Sequence, residues 1–299
     1  MSQKSGSMED KNSNERIKDG VFRDGKDLAD YLRQKASRHS HFKFYSGYRA
    51  IESICDRDCI FLSDGKNWND PIDCQNMQND ENFYNFGICF SFSVSENVAM
   101  WLLYSKDDGC MIDFDKDSIS QMMSVKSVEL GVFGDNREFV PNQVLSVKDD
   151  GIRIQLVDMV YYGEPEDDEH RSRDYYVRRS RETNKLFDRR VLDGCRLYSK
   201  QLPWSYENEC RLIVSVPRKA LDDDKSGLYL KIEFDKSIIP KLRKEKRIYN
   251  SPNASNVNED PLYSKNTKSK LSGRINWKLK KQLCDDCELK KQKDKGNQQ

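Results

Sequence analysis

The 299-residue chain has no apolar run close to the ~18 residues that a membrane-spanning helix needs. It has only three histidines, His39, His41 and His170, too few for a histidine-rich metal centre. Its nine cysteines are odd in number and irregular in spacing. Met1 to Asp19 is polar and charged, without the apolar stretch of a secretory leader. These absences predict reduced thiols in a cytoplasmic protein, with no disulfide framework and no membrane partner. Cys284-Asp285-Asp286-Cys287 is a lone C-x-x-C. A structural zinc site needs a second ligand pair, and the nearest cysteines, Cys195 and Cys210, lack the spacing. No resident metal is expected.

Charged residues make up 34% of the chain and aromatics 10%, which is polar but still enough to build a core. A formal charge of +1 conceals an asymmetry. Residues 241–299 hold 16 Lys and Arg against 7 Asp and Glu, so a basic C-terminal tail follows a body that is acidic overall. The expected organisation is a disordered N-terminus over 1–20, one α+β domain over 21–240 and a flexible basic tail over 241–299.

Within the body, Leu28, Tyr31 and Leu32 lie on one face of a helix predicted over 24–38. Phe42 and Phe44 alternate with His41, Lys43 and Tyr45 as a half-buried strand, followed by a helix over 48–56 and a strand over 59–62. Asn69-Asp70-Pro71 is a turn signal. Residues 86–93 read as a strand, and Ser95 as the cap of a helix reaching Tyr104. Strands are expected at 110–114, 152–162, 204–216 and 228–234, and an exposed helix within the charged stretch 164–190. The fold class is α+β: a mixed, mostly antiparallel sheet with helices.

Three segments put polar residues together within apolar strands. The first is His41, Lys43 and Tyr45. The second is Ser91 and Ser93, with Trp101 and Tyr104 on the next helix. The third is Glu207, Glu209 and Arg211, which share one strand face because i, i+2 and i+4 point the same way, while Trp204, Tyr206, Cys210, Leu212 and Val214 take the core face with Asn208. Taken alone, the third segment equally describes a solvated face with a weak ion pair.

In this order, Phe42 to Tyr45, Asn69-Asp70-Pro71, Cys89-Phe90-Ser91, Met100-Trp101 with Tyr104, Gly109, and Trp204 with Tyr206-Glu207-x-Glu209-x-Arg211 resemble the bacterial domain of unknown function 2971 family (DUF2971). The resemblance spans roughly residues 41–214. That family carries no assigned activity, though it is compatible with a role in bacterial antiviral defence. A second resemblance, to ADP-ribosyltransferases, suggests chemistry: a basic residue on a first strand, then Ser-x-Ser, then Glu-x-Glu. Here these are Lys43 or His41, Ser91 and Ser93, and Glu207 and Glu209.

That resemblance implies an ADP-ribosyltransferase-like fold acting on NAD as substrate. Glu209 would stabilise the oxocarbenium-like cation and Glu207 would serve the acceptor. Lys43, Ser91, Ser93 and Arg211 would hold the ligand, and Tyr45, Trp101 or Tyr104 would pack on a ring. The chain departs from the pattern in having Lys43 where those enzymes have arginine, and in the long gap between Ser93 and Glu207.

Two other readings stand beside this one. Asp70, Asp73, Asp113, Glu207 and Glu209 could bind a divalent metal in a nuclease. The basic segments Lys241 to Arg247 and Lys278 to Lys281, the latter beside Trp277, could hold a nucleic-acid backbone.

Overall fold

The structure is a computed structural model that describes residue 22 and residues 24–105, 109–136, 138–169, 171, 173–177, 185–222 and 227–252. The expectations for residues 1–20, the Cys284/Cys287 pair and the Lys278 to Lys281 cluster lie outside the described residues.

The described chain begins with α1 (Gly25–Ala36), β1 (Phe42–Ser46), α2 (Tyr48–Arg57), β2 (Cys59–Ser63), α3 (Pro71–Gln78) and β3 (Phe83–Ser91). One turn of helix, α4 (Val98–Met100), runs into a π-turn at Trp101–Ser105. Next come β4 (Cys110–Phe114), α5 (Lys116–Met123), β5 (Ser127–Phe133) and β6 (Phe139–Ser146). The chain continues through β7 (Arg153–Asp158), β8 (Val160–Gly163), β9 (Asp174–Val177), β10 (Lys185–Asp188), α6 (Arg189–Asp193) and β11 (Ser199–Gln201). A 3₁₀ segment, Leu202–Glu207, then leads into β12 (Glu209–Pro217), followed by β13 (Tyr229–Glu233), α7 (Ile238–Lys244) and β14 (Ile248–Asn250).

These elements make the expected α+β fold. Ten strands form one antiparallel sheet along the path β14-β4-β1-β3-β2-β13-β5-β6, with β12 joining β3 and β7 joining β12. Four strands form a second sheet, β10-β9-β8-β11, in which β8 and β11 run parallel. Phe42, Phe86, Phe90, Leu212, Val214 and Leu230 build the main core. On the other face, Leu28 and Leu32 of α1 pack with Val157 and Ile213. Both faces of β12 are therefore covered, and all nine of its residues are buried. Cys210, Leu212 and Val214 do take the main-core face, but Trp204, Tyr206 and Asn208 precede the strand and do not.

One irregularity creates the space for a site. β1 bridges β3 at Lys43 and Ser91, and β2 bridges the same strand at Ser63 and Gly87. Between these points β1 and β2 splay apart. Among the described residues, Ile88 to Phe90 then have a strand partner only on the β12 side.

Several expectations need correction. Among its described residues, the charged stretch 164–190 holds the paired strands β9 and β10, with α6 starting at Arg189, where an exposed helix was expected. Tyr175, Val177 and Phe187 pack onto the α1 side with a two-residue alternation, and that period selects a strand. Asn97 caps the short helix, accepting the Ala99 N–H at 2.9 Å, so Ser95 is not the cap. β3 ends at Ser91 and leaves Ser93 beyond it. The expected strand 204–216 begins only at Glu209, because Pro203 opens a 3₁₀ turn and Asn208 is left-handed at φ 45°. The folded chain also continues past residue 240. Ile238, Ile239 and Leu242 bury one face of α7, and β14 pairs with β4. No helix among the described residues is long and apolar enough to cross a membrane.

Candidate functional site

The splayed strands open a cleft of about 370 Å³. Its walls come from β1 (Phe44, Tyr45), β2 (Phe61, Ser63), β3 (Gly87 to Phe90), the loop into α3 (Trp68 to Asp70) and the π-turn (Leu103, Tyr104). Asp73, Lys200, Glu207 and Glu209 also line it.

Asp70 caps α3 by accepting the Ile72 N–H at 2.9 Å, with Pro71 at the first helical position. That start directs Asp73 inward, where Arg211 grips it with both terminal nitrogens at 2.9 and 2.8 Å. Arg211 Nε also donates to Glu209 Oε1 at 2.7 Å. Lys200, on β11, donates to Glu207 Oε2 at 2.6 Å and Glu209 Oε2 at 3.0 Å, and stands 3.7 Å from Asp73. The Tyr104 hydroxyl donates to the other oxygen of Glu207. The Tyr161 hydroxyl accepts the Glu209 backbone N–H at 2.8 Å. Trp68 lies against the Arg211 guanidinium, with its Nε1 bonded to Ser63 Oγ at 2.8 Å. Lys200 stands 5.1 Å from the Trp204 ring.

This network is nearly dry: Arg211 is 0% exposed, Glu209 2% and Lys200 7%. Its electrostatics follow from a charge count. Asp73, Glu207 and Glu209 carry three negative charges against two positive ones on Lys200 and Arg211, so the cluster balances when one carboxyl holds a proton. Glu207 is placed to hold it. Burial, and then the neighbouring Glu209 carboxylate, raise its pKa to about 7, although Lys200 opposes the shift. Burial alone would raise Glu209 too, but Arg211 and Lys200 hold it well below the usual carboxylate range. For Lys200, burial works against the charge, but Glu209 and Glu207 outweigh it and keep the ammonium protonated. Burial, reinforced by Glu207, raises the Tyr104 phenol. Burial likewise pushes the Cys89 thiol well up, so it is no ready nucleophile.

The structure brings together some of the sequence-predicted residues and not others. Glu207, Glu209, Tyr45 and Tyr104 line the cleft; Lys43, Ser91, Ser93, Trp101 and Arg211 do not. Lys43 donates to the carbonyls of Ser93 and Val94 at 2.6 and 2.8 Å and so ties down the loop after β3. Ser91 is buried with an unpartnered hydroxyl. Trp101 packs edge-on against Tyr45 and donates to Glu96 at 3.0 Å. Arg211 stands behind the carboxylates and fixes them. Glu207 and Glu209 do not share a strand face. Left-handed Asn208 turns Glu207 back, so both converge on one ammonium.

Sequence reasoning missed Lys200 altogether and named Asp73 only as a metal ligand. Asp73 is held by Arg211, and among the described residues no group of three acidic, cysteine or histidine side chains is arranged to hold a metal. Of the basic segment Lys241 to Arg247, Lys241 is paired with Asp115 at 2.6 Å and Arg247 with Asp113 at 3.1 Å.

Residues 100–212 match the family described as "Protein of unknown function (DUF2971)". The matched stretch is under half of the chain. It runs from the π-turn to the middle of β12 and so contains Tyr104, Lys200, Glu207, Glu209 and Arg211. The family resemblance seen in the sequence is thus borne out over that stretch. No curated protein and no solved structure matches the chain.

Proposed function

We propose that the cleft cleaves an N-ribosyl bond, with NAD as the substrate, and passes the ADP-ribosyl group to an acceptor or to water. The observation that carries this reading is the pair Glu207 and Glu209, bridged by Lys200 at the base of an aromatic-lined cleft, with ionisations driven apart. Two carboxylates separated in this way divide the work of a glycosyl transfer: one remains an anion while the other handles a proton.

The bond between the ribose carbon and the ring nitrogen breaks, and its electron pair leaves with the nitrogen, turning the pyridinium into neutral nicotinamide. Positive charge develops on the ribose, where the Glu209 carboxylate stabilises it. As an acceptor hydroxyl bonds to that carbon, Glu207 takes the hydroxyl proton. Tyr104 and Lys200 fix the two Glu207 oxygens, so the base is oriented before substrate arrives.

The test is nicotinamide release from NAD by the purified chain, with cell lysate, nucleic acid or water as acceptor. The parent is expected to release nicotinamide. Glu209→Gln, which keeps the volume and removes the charge, is expected to lose ~10²-fold or more. No release by the parent with any acceptor overturns the reading.

A further inference from the structure

We infer that the cleft selects a planar organic cation of the N-substituted pyridinium class, and that phosphate groups of any larger substrate stay outside it. The inference rests on the N-ribosyl reading for the choice of cation. Its electrostatic basis is independent of that reading.

Lys200 is the one basic residue among the described lining residues, against Asp70, Asp73, Glu207 and Glu209. Its charge is already used by Glu207 and Glu209, and the buried Arg211 is occupied by Asp73 and Glu209. The cluster is therefore short of at least one positive charge whenever all its carboxylates are ionised. A bound monocation supplies that charge in a site where water is scarce and the interaction is strong. A pyrophosphate brought to the same place meets fixed negative charge with no unused lining cation, which disfavours it by repulsion.

Shape and polarity point to the same ligand. Phe44, Phe61, Trp68 and Tyr104 are among the residues lining the cleft, and delocalised cations bind aromatic faces. The Tyr45 phenol supplies a second, separate sign of a ligand. It lines the cleft, is 5% exposed, and its hydroxyl lacks a hydrogen-bond partner. Burial raises the pKa of this phenol, and the nearby Asn97 backbone offsets only part of that rise. A buried hydroxyl left unpaired is unfavourable, and a carboxamide on the ring of a bound pyridinium would satisfy it.

Titration calorimetry on the parent chain tests this without any variant, using 1-methylnicotinamide, neutral nicotinamide and ADP-ribose as probes. The methylated cation is expected to bind about tenfold or more tightly than nicotinamide, as a cation held over aromatic rings should. ADP-ribose is expected not to displace it. Equal or tighter binding of nicotinamide, displacement by ADP-ribose, or no binding of the cation would each overturn the inference. The outcomes separate from those of the enzymatic reading. Cation binding without NAD cleavage sinks the enzymatic reading and keeps this one, and NAD cleavage without cation preference does the reverse.

Discussion

Arg211 holds Asp73 through both terminal nitrogens, at 2.9 and 2.8 Å, although the two residues lie 138 positions apart in the chain. This fork ties α3 to β12 beneath the cleft, and both side chains are almost wholly buried. Removing one member of a buried pair leaves an uncompensated charge. Arg211→Met is therefore expected to lower the unfolding free energy by about 3–5 kcal/mol. Arg211→Lys should not restore it, because an ammonium cannot reproduce the planar fork that reaches Asp73 and Glu209 together. Arg211→Met combined with Asp73→Leu should recover part of the loss. Urea unfolding midpoints at constant m-value report all three. A loss below about 1 kcal/mol for Arg211→Met would place the pair in the class of weak surface bridges and contradict the burial argument.

Much of the scaffold could be read locally. Leu28 and Leu32 mark α1, alternating Phe42 and Phe44 mark β1, and Asp70-Pro71 marks the start of α3, because each pattern is short-ranged. The cluster could be read only in part. Glu207, Glu209 and Arg211 stood out as charges in an apolar run, but the assumed strand face ignored the turn that Pro203 and Asn208 impose. Lys200 gave no signal, since a single lysine beside a turn is ordinary until folding sets it between two carboxylates. The Asp73–Arg211 fork is a long-range contact with no local pattern. The π-turn hid its effect too: its register sends Trp101 into the interior against Tyr45 and leaves Tyr104 in the cleft.

The proton on Glu207 predicts two pH dependences of defined sign. Tyr104, Lys200, Glu209, Tyr161 and Tyr206 face this carboxyl from the packed elements. In the folded state it stays protonated from its ordinary value of 4.5 up to about 7, while the unfolded chain ionises at the lower value. The folded state thus binds more protons across that window. The contribution of Glu207 to stability therefore falls as pH rises from 4.5 to about 7 and is flat above. Glu209 acts in the opposite sense: its depressed pKa gives stability that is present above 4.5 and lost as pH falls below it. Glu207→Gln should remove the decline between these pH values, seen as unfolding midpoints of parent and variant that converge toward low pH. As a base, Glu207 must be ionised, so the parent rate should rise with pH to a plateau, with its inflection near 7.

Lys200→Met tests what positions and tunes that base. With the ammonium gone, Glu207 and Glu209 face each other with less compensation, so the inflection of the rate profile should move above 7. Stability should fall as well, because Lys200 is 7% exposed and paired with both carboxylates. The shifted inflection is the discriminating readout, since a purely structural role would lower activity without moving it.

Tyr45→Phe separates ligand recognition from folding. The hydroxyl it removes is buried and unpartnered, so deletion should leave stability unchanged or raise it by up to ~1 kcal/mol. Binding of 1-methylnicotinamide should weaken by about fivefold to tenfold, the usual scale for one neutral hydrogen bond. Binding of N-methylpyridinium, which lacks the carboxamide, should not change. Equal losses for both probes would mean that the hydroxyl does not act through the carboxamide.

Gly87→Ala addresses the cleft itself. A Cβ at this position would stand 2.9 Å from the Trp68 ring and 3.2 Å from the Met77 methyl. The methyl can yield, but the indole cannot move cheaply. It is bonded to Ser63 at 2.8 Å and lies against the Arg211 guanidinium. Displacing it would disturb the wall and loosen the support behind Glu209. The substitution is expected to cost about 1–3 kcal/mol, the usual range for overpacking, and to shift Trp68 emission. Ligand binding should fall even where the chain remains folded. If stability, emission and binding all stayed at parent values, β3 would have room to retreat at Gly87, and Trp68 would not define that wall of the cleft.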